Sequence, residues 1–137
     1  MAEEEGEVDG PLQALPRGDS MTRNLTDTEV KQLYNTCWKH WGAYPQIDMA
    51  IEEMSELTQA LLKARRKGYP HFSSSSAVLE EMADTVICLE QLLEQIERNG
   101  KTDEYRTYKN DKLLRLESRL MESTAKKYPQ EITDELI

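Results

Sequence analysis

Apolar residues recur every three or four positions through four long segments of this chain, and this period is typical of amphipathic α-helices. The helices are predicted at residues 25–41, 45–67, 77–98 and 103–121. No segment shows the sustained alternation of apolar and polar residues that indicates a β-strand. The chain is therefore predicted to be all-α, and four helices with short connections favour an antiparallel four-helix bundle.

Residues that begin and end helices stand at the boundaries of these segments. Thr26 and Glu29 have the spacing of a capping box. In this motif the side chain of each residue accepts a hydrogen bond from the backbone N–H of the other. Gly42 and Gly68 are placed to end the first and second helices. The serines at 73–76 offer a cap for the third helix, so we interpret residues 69–76 as a connector rather than a lid.

The apolar stripes of the second and third helices are expected to form the core. The stripe of the second helix is Ile47, Ala50, Ile51, Met54, Leu57 and Leu61. The stripe of the third helix is Val78, Leu79, Met82, Val86, Leu89, Leu93 and Ile96. About 95 ordered residues make a thin core, so we expect homo-oligomerisation, as a dimer or tetramer, to complete the bundle.

The two ends of the chain differ from its middle. Residues 1–20 carry six acidic residues against one basic residue, with no aromatic side chain, so residues 1–24 are predicted to be a disordered acidic leader. Residues 123–137 mix charges with Pro129 and are predicted to be a loosely ordered tail. The folded helical domain is therefore predicted to cover residues 25–122.

Composition excludes several classes of function. The formal net charge of −9 argues against a nucleic-acid binder, which needs an excess of cations to neutralise phosphates. No apolar run approaches the ~20 residues of a membrane span, so no membrane partner is expected. Cys37 and Cys88 are too few for a disulfide framework, which favours a cytoplasmic protein.

Two acidic segments carry the candidate chemistry, Glu-Glu-Met-Ser-Glu at 52–56 and Glu-Glu-Met-Ala-Asp at 80–84. At about 100° per residue, Glu53 and Glu56 form one strip at the edge of the apolar stripe of their helix. Glu81 lies inside the apolar arc of the third helix, where a free carboxylate is costly, and Asp84 lies beside it.

Antiparallel packing of these two helices brings four carboxylates together, and such close like charges demand a counter-ion. Oxygen ligands favour Mg²⁺, with Mn²⁺ as a substitute, over zinc. A di-iron bundle would need Glu-x-x-His pairs, which the sequence lacks. The alternative is that these acids form an ordinary solvated helix face.

The acidic pattern resembles the signature of the MazG-type all-α nucleotide pyrophosphohydrolases. The resemblance covers residues 38–120. It rests on Gln46-x-x-Met49-Ala50-x-Glu52-Glu53-x-x-Glu56, a gap of 24 residues, Glu81-x-x-Asp84, Ala83-Asp84-x-x-Ile87 and Lys112-Leu113-x-Arg115.

The resemblance implies Mg²⁺-dependent hydrolysis of a nucleoside or deoxynucleoside triphosphate to the monophosphate and pyrophosphate. It implies four metal ligands, Glu53, Glu56, Glu81 and Asp84. Glu52 or Glu80 is a candidate general base or supporting acid. One or two Mg²⁺ ions are expected to neutralise charge on the phosphates and to lower the pKa of a water molecule.

Substrate contacts are expected outside the acidic segments. Lys112 and Arg115 are candidate partners of the phosphates, because acids alone would repel a triphosphate. Trp38 and Trp41 either stack on a nucleobase or fill the core. Gln46 is a candidate hydrogen-bonding partner of the substrate.

Two other functions fit the sequence. One is a non-catalytic helical interaction or regulatory module whose acids keep it soluble. The other is a phosphohydrolase acting on nucleoside diphosphates, which would release different products.

Overall fold

The computed structural model describes residues 23–127, and within this range every element is helical. The helices are α1 (Asp27–Trp41), α2 (Ala43–Lys67), α3 (Ser76–Arg98) and α4 (Thr102–Lys127). A short 3₁₀ helix, Phe72–Ser74, lies in the connection between α2 and α3. The predicted all-α class is confirmed.

Local sequence signals set the helix ends. Thr26 and Glu29 form the predicted capping box at the start of α1. Gly42, at φ 86°, ends α1, and Gly68, at φ 67° and ψ 35°, ends α2 in the left-handed conformation that glycine adopts at low cost. Ser75 caps α3, since its side chain accepts a hydrogen bond from the backbone N–H of Val78 at 3.3 Å.

The fourth helix is longer than predicted. α4 continues to Lys127, so residues 123–127, which the sequence assigned to a loose tail, are helical. The physical reason is that residues 122–128 contain neither glycine nor proline, and Pro129 is the first residue that would interrupt a helix. Residues 1–22 and 128–137, which hold most of the predicted leader and tail, lie outside the described part of the chain.

α2 and α3 form an antiparallel hairpin that contains the core. Ala60 and Ala64 of α2 are buried against Val78 near the start of α3, with Leu57 packed beside them. Further along, the side chain of Thr85 reaches the backbone of Glu53. Residues late in α2 thus meet residues early in α3, which fixes the antiparallel direction.

The predicted core stripes of α2 and α3 are both largely wrong. On α3 only Val78 of the predicted stripe is buried, while Leu79, Met82, Val86, Leu89 and Leu93 are 36–50% exposed. The same holds for α2. Ile47, Ile51, Met54 and Leu61 are 39%, 55%, 41% and 40% exposed, while Ala50, Ala60 and Ala64 are at most 8% exposed. The face of small side chains lies against α3 because alanines let two helix backbones approach closely. The larger apolar side chains therefore lie on a neighbouring face of α2, outside the hairpin.

α1 and α4 join this hairpin in different ways. α1 packs on both α2 and α3, and its Tyr34 hydroxyl donates a hydrogen bond to Glu90 at 2.5 Å. α4 packs directly on α3 alone among the described helices, and it has no buried residue. A cleft of about 500 Å³ separates the first turns of α4, at Tyr105 and Arg106, from α1.

Two further findings concern the described part of the chain. None of the helices within residues 23–127 combines the length and the apolar character that a bilayer crossing requires. Cys37 is half-buried and Cys88 is buried, and both are free thiols.

Candidate metal centre

The acidic residues of α2 and α3 meet across the hairpin. One carboxylate oxygen from each of Glu53, Glu81 and Asp84 lies within 4.8 Å of the other two. Glu53 and Glu81 are half-buried, whereas Asp84 is exposed. The structure therefore brings together three of the four acids that the sequence proposed as metal ligands.

The register of the two helices is fixed by a buried hydroxyl. Thr85 is 6% exposed, and its Oγ1 donates a hydrogen bond of 3.1 Å to the backbone carbonyl of Glu53. Since Thr85 follows Asp84 directly, this bond holds the acids of α3 opposite the acids of α2. Sequence reasoning missed Thr85, although its position four residues after Glu81 places it on the same face of α3.

Two carboxylate oxygens in this cluster have no hydrogen-bond partner. Glu53 Oε2 and Glu81 Oε2 are both buried and unpaired in the described structure. An unpaired buried polar atom is unfavourable, and for a carboxylate the cost is larger when the group is ionised. A bound cation would satisfy both oxygens, and this donor set of carboxylates alone fits a hard divalent ion.

Partial burial and the repulsion between neighbouring acids raise the pKa values of the Glu53 and Glu81 carboxyls. The pKa of Glu53 is raised above its usual 4.5, first by partial burial and then by the charges of Asp84 and Glu56. The pKa of Glu81 is also raised, first by partial burial and then by the charge of Glu56. A divalent cation would reverse both shifts, because it favours the ionised form of each carboxyl.

The remaining acids of the two segments lie around this cluster. Glu56 is exposed, and of the neighbouring charges it contributes most to the raised pKa of Glu81. Glu52 contributes the weakest of the charges that raise the pKa of Glu53, and Glu80 the weakest of those that act on Glu81. Glu56 is therefore close to the centre, while Glu52 and Glu80 are peripheral.

A buried thiol lies at the same place. Cys88 is 8% exposed. Burial raises the pKa of its thiol most, and the negative charges of Glu53 and Asp84 raise it further. The raised pKa keeps the thiol in its neutral form, so it adds no charge beside the acids.

The predicted phosphate-binding residues are not brought to the acids. Lys112 and Arg115 are exposed on α4, which does not pack on α2. Neither of them is among the charges that act on Glu53 or Glu81.

The predicted base-binding residues have three different environments. Trp41 is 57% exposed, so it does not fill the core, and its ring makes an edge contact with His40. Trp38 is half-buried on α1. Gln46 is buried in the first turn of α2, with 8% exposure, and its backbone N–H donates to the carbonyl of Gly42.

Comparison of the chain with protein-family models, with curated proteins and with solved structures found no match.

Proposed function

We propose that the chain is a Mg²⁺-dependent nucleoside triphosphate pyrophosphohydrolase, which converts a nucleoside or deoxynucleoside triphosphate and water to the monophosphate and pyrophosphate. The observation that carries the proposal is the pair of buried, unpaired oxygens of Glu53 and Glu81 within a cluster of three carboxylates. The MazG-like order of acids along the chain supports the same chemistry.

In this proposal Glu53, Glu81 and Asp84 hold the metal, and Glu56 adds a fourth carboxylate at the open side. Mg²⁺, or Mn²⁺ in its place, neutralises phosphate charge and lowers the pKa of a water molecule when it is bound in such a site. The exposed Glu52 and Glu80 flank the cluster, so either can accept the proton of the attacking water. Their positions do not favour one over the other.

The triphosphate also needs cations from the protein. We assign this role to Lys112 and Arg115, and the stacking of the base to the exposed Trp41, with Trp38 and Gln46 nearer the core. The assignment of the two cations requires α4 to approach the acid cluster, which it does not do in the isolated chain.

We also propose that the functional form is a homo-oligomer in which the four-helix bundle is completed. The exposure of α4 supports this proposal. A helix of 26 residues with no buried side chain gains little stability from packing within one chain, so a second copy could supply the missing contacts. Its exposed Tyr108, Leu116 and Leu120 are 61%, 58% and 65% accessible.

Metal binding provides the first test. Mg²⁺ should raise the melting temperature of the chain, because at a hundred times Kd a ligand stabilises the folded state by about 2.7 kcal/mol. Glu53→Gln and Asp84→Asn should abolish this increase. Asp48→Asn, an exposed acid on α2 outside the cluster, is the matched control and should retain it.

Product analysis provides the second test. A panel of ribo- and deoxynucleoside triphosphates with Mg²⁺ should yield pyrophosphate, and Glu53→Gln should abolish its release. Orthophosphate as the first product, or activity on diphosphates alone, would contradict the proposed reaction. Retention of Mg²⁺ binding by both Glu53→Gln and Asp84→Asn would contradict the assigned site.

A further inference from the structure

The end of α2 carries four cations, all of them exposed: Lys63, Arg65, Arg66 and Lys67. Within residues 23–127 none of the four takes part in an ion pair. Arg65, Arg66 and Lys67 belong to the last turn, where positive charge complements the helix dipole. Lys63 precedes that turn, so the helix end does not account for it.

Two of these cations lie on the same strip of α2 as the acids. Lys63 and Lys67 follow Glu56 by seven and eleven residues, so at about 100° per residue each is turned from it by only about 20°, to opposite sides. Arg65, nine residues after Glu56, lies on the opposite side of the helix. Glu56 borders the metal centre, because its charge acts on both half-buried carboxyls of the cluster. The strip therefore runs from the open side of the centre towards the end of α2.

The two lysines repel each other. They are four residues apart on a helix, and like charges at this spacing are destabilising. An anion bound between Lys63 and Lys67 would offset this repulsion, as a cation would offset the repulsion between the acids. α2 thus favours a cation at its acids and, further along the same strip, an anion at its lysines.

The start of α3 lies beside the lysines. Ala64, which follows Lys63, packs on Val78 in the first turn of α3. This first turn contains no acidic residue, and the amino end of a helix carries a partial positive charge. Glu80, one turn later, forms no ion pair with either lysine. The surroundings of the lysines therefore also favour an anion.

The spacing along α2 suits a chain of phosphates. At a rise of about 1.5 Å per residue, Lys63 lies roughly 10 Å beyond Glu56 along the helix axis. Its ammonium group is carried on a flexible four-carbon stem, so it can reach back towards the metal centre. A triphosphate with one end at the centre would therefore have its other end within reach of Lys63.

We infer that Lys63 and Lys67 bind the β- and γ-phosphates of the triphosphate, the two phosphates that are released together as pyrophosphate. This inference rests on the proposed function and adds two substrate-binding residues to it. It supplies the cations that a single chain otherwise lacks near the acids, because Lys112 and Arg115 lie on α4, which does not pack on α2. The arrangement favours a triphosphate over a monophosphate, since a single phosphate held at the metal does not extend to the lysines.

Titration calorimetry of the full chain with inorganic tripolyphosphate in Mg²⁺ tests the inference. Lys63→Met and Lys67→Met remove the charge from exposed side chains, and each should raise the dissociation constant about tenfold. Arg65→Met is the matched control, because it removes a cation from the same end of α2 on the opposite side, and it should leave the dissociation constant unchanged. Lys63→Arg should retain binding, and orthophosphate should bind equally to all variants.

Melting curves separate this inference from the metal centre, and circular dichroism establishes that each variant remains helical. Mg²⁺ should raise Tm equally in the wild type and in the lysine variants, because neither lysine is a metal ligand. With that increase intact, tripolyphosphate binding that neither lysine affects would overturn this inference alone. Equal losses of affinity in Lys63→Met and Arg65→Met would also overturn it, since they would reflect net charge rather than a site. Absence of any Mg²⁺-induced increase in the wild type would overturn the metal centre, and this inference with it.

Discussion

Replacement of Thr85 by valine tests whether one hydroxyl sets the register of the hairpin. Valine keeps the branched shape of threonine and removes only the 3.1 Å hydrogen bond from Oγ1 to the carbonyl of Glu53. Thr85 is 6% exposed, so water does not replace the lost donor. A hydrogen bond of this kind contributes about 0.5–1.5 kcal/mol to the free energy of unfolding. In a domain of this size, each kcal/mol lost lowers Tm by roughly 4–8 °C.

Thr58→Val is the matched control. Its Oγ1 donates at 2.9 Å to the carbonyl of Met54 within α2, and the residue is exposed, so its loss should change the free energy of unfolding by less than about 0.5 kcal/mol. Urea unfolding followed by circular dichroism measures both variants. Thr85→Val should also reduce the Mg²⁺-induced increase in Tm, because the acids of α2 and α3 lose their alignment. Equal stability of Thr85→Val and Thr58→Val would refute this account of the register.

Three further predictions follow from the described contacts. Because the pKa values of Glu53 and Glu81 are raised, the folded state binds their protons more tightly than the unfolded state does. Without divalent cations, their contribution to the stability of the folded state therefore falls as pH rises above about 4.5. In melting curves recorded in chelator, Tm should fall less over this pH range for Glu53→Gln than for the wild type. Val78→Ala should lower the free energy of unfolding by about 2–3 kcal/mol in urea titrations, because Val78 is 0% exposed and its removal leaves a cavity. Gly68→Ala should lower the free energy of unfolding by about 1 kcal/mol in the same titration, because an alanine at φ 67° is strained. An added Cβ meets no atom within 4 Å, so no steric clash adds to this cost.

The helix boundaries could be predicted because they depend on neighbouring residues. The capping box of Thr26, the glycines at 42 and 68 and the serine cap of α3 all act within a few positions of the chain. The end of α4 was predicted too early because the periodicity of its apolar residues fades before the helix itself ends.

The buried face of α2 could not be predicted in the same way. Hydrophobic periodicity favours large side chains as the core, yet the buried apolar side chains of α2 are the alanines at 50, 60 and 64, of which Ala60 and Ala64 pack against Val78 of α3. Which of two adjacent apolar faces packs internally depends on how closely α3 can approach, and this is a property of the assembled pair. The large side chains then remain exposed on a neighbouring face of α2.

The candidate site was partly predictable for a related reason. Helical spacing places Glu53 at the edge of the apolar stripe of α2, Glu81 inside the apolar arc of α3 and Asp84 beside it. Antiparallel packing then brings the three acids together. The unpaired state of Glu53 Oε2 and Glu81 Oε2 depends on rotamers and on the register set by Thr85, which spacing does not encode. The positions of Lys112 and Arg115 depend on the direction of α4, which its sequence does not determine.

The hairpin also has a consequence for how the centre forms. The acids come from consecutive helices, and the bond that aligns them joins residues only 32 positions apart. The entropy lost in closing a loop grows slowly with its length, and contacts of short sequence separation are associated with rapid folding. The carboxylates should therefore converge as soon as α2 and α3 dock, before α4 packs on α3.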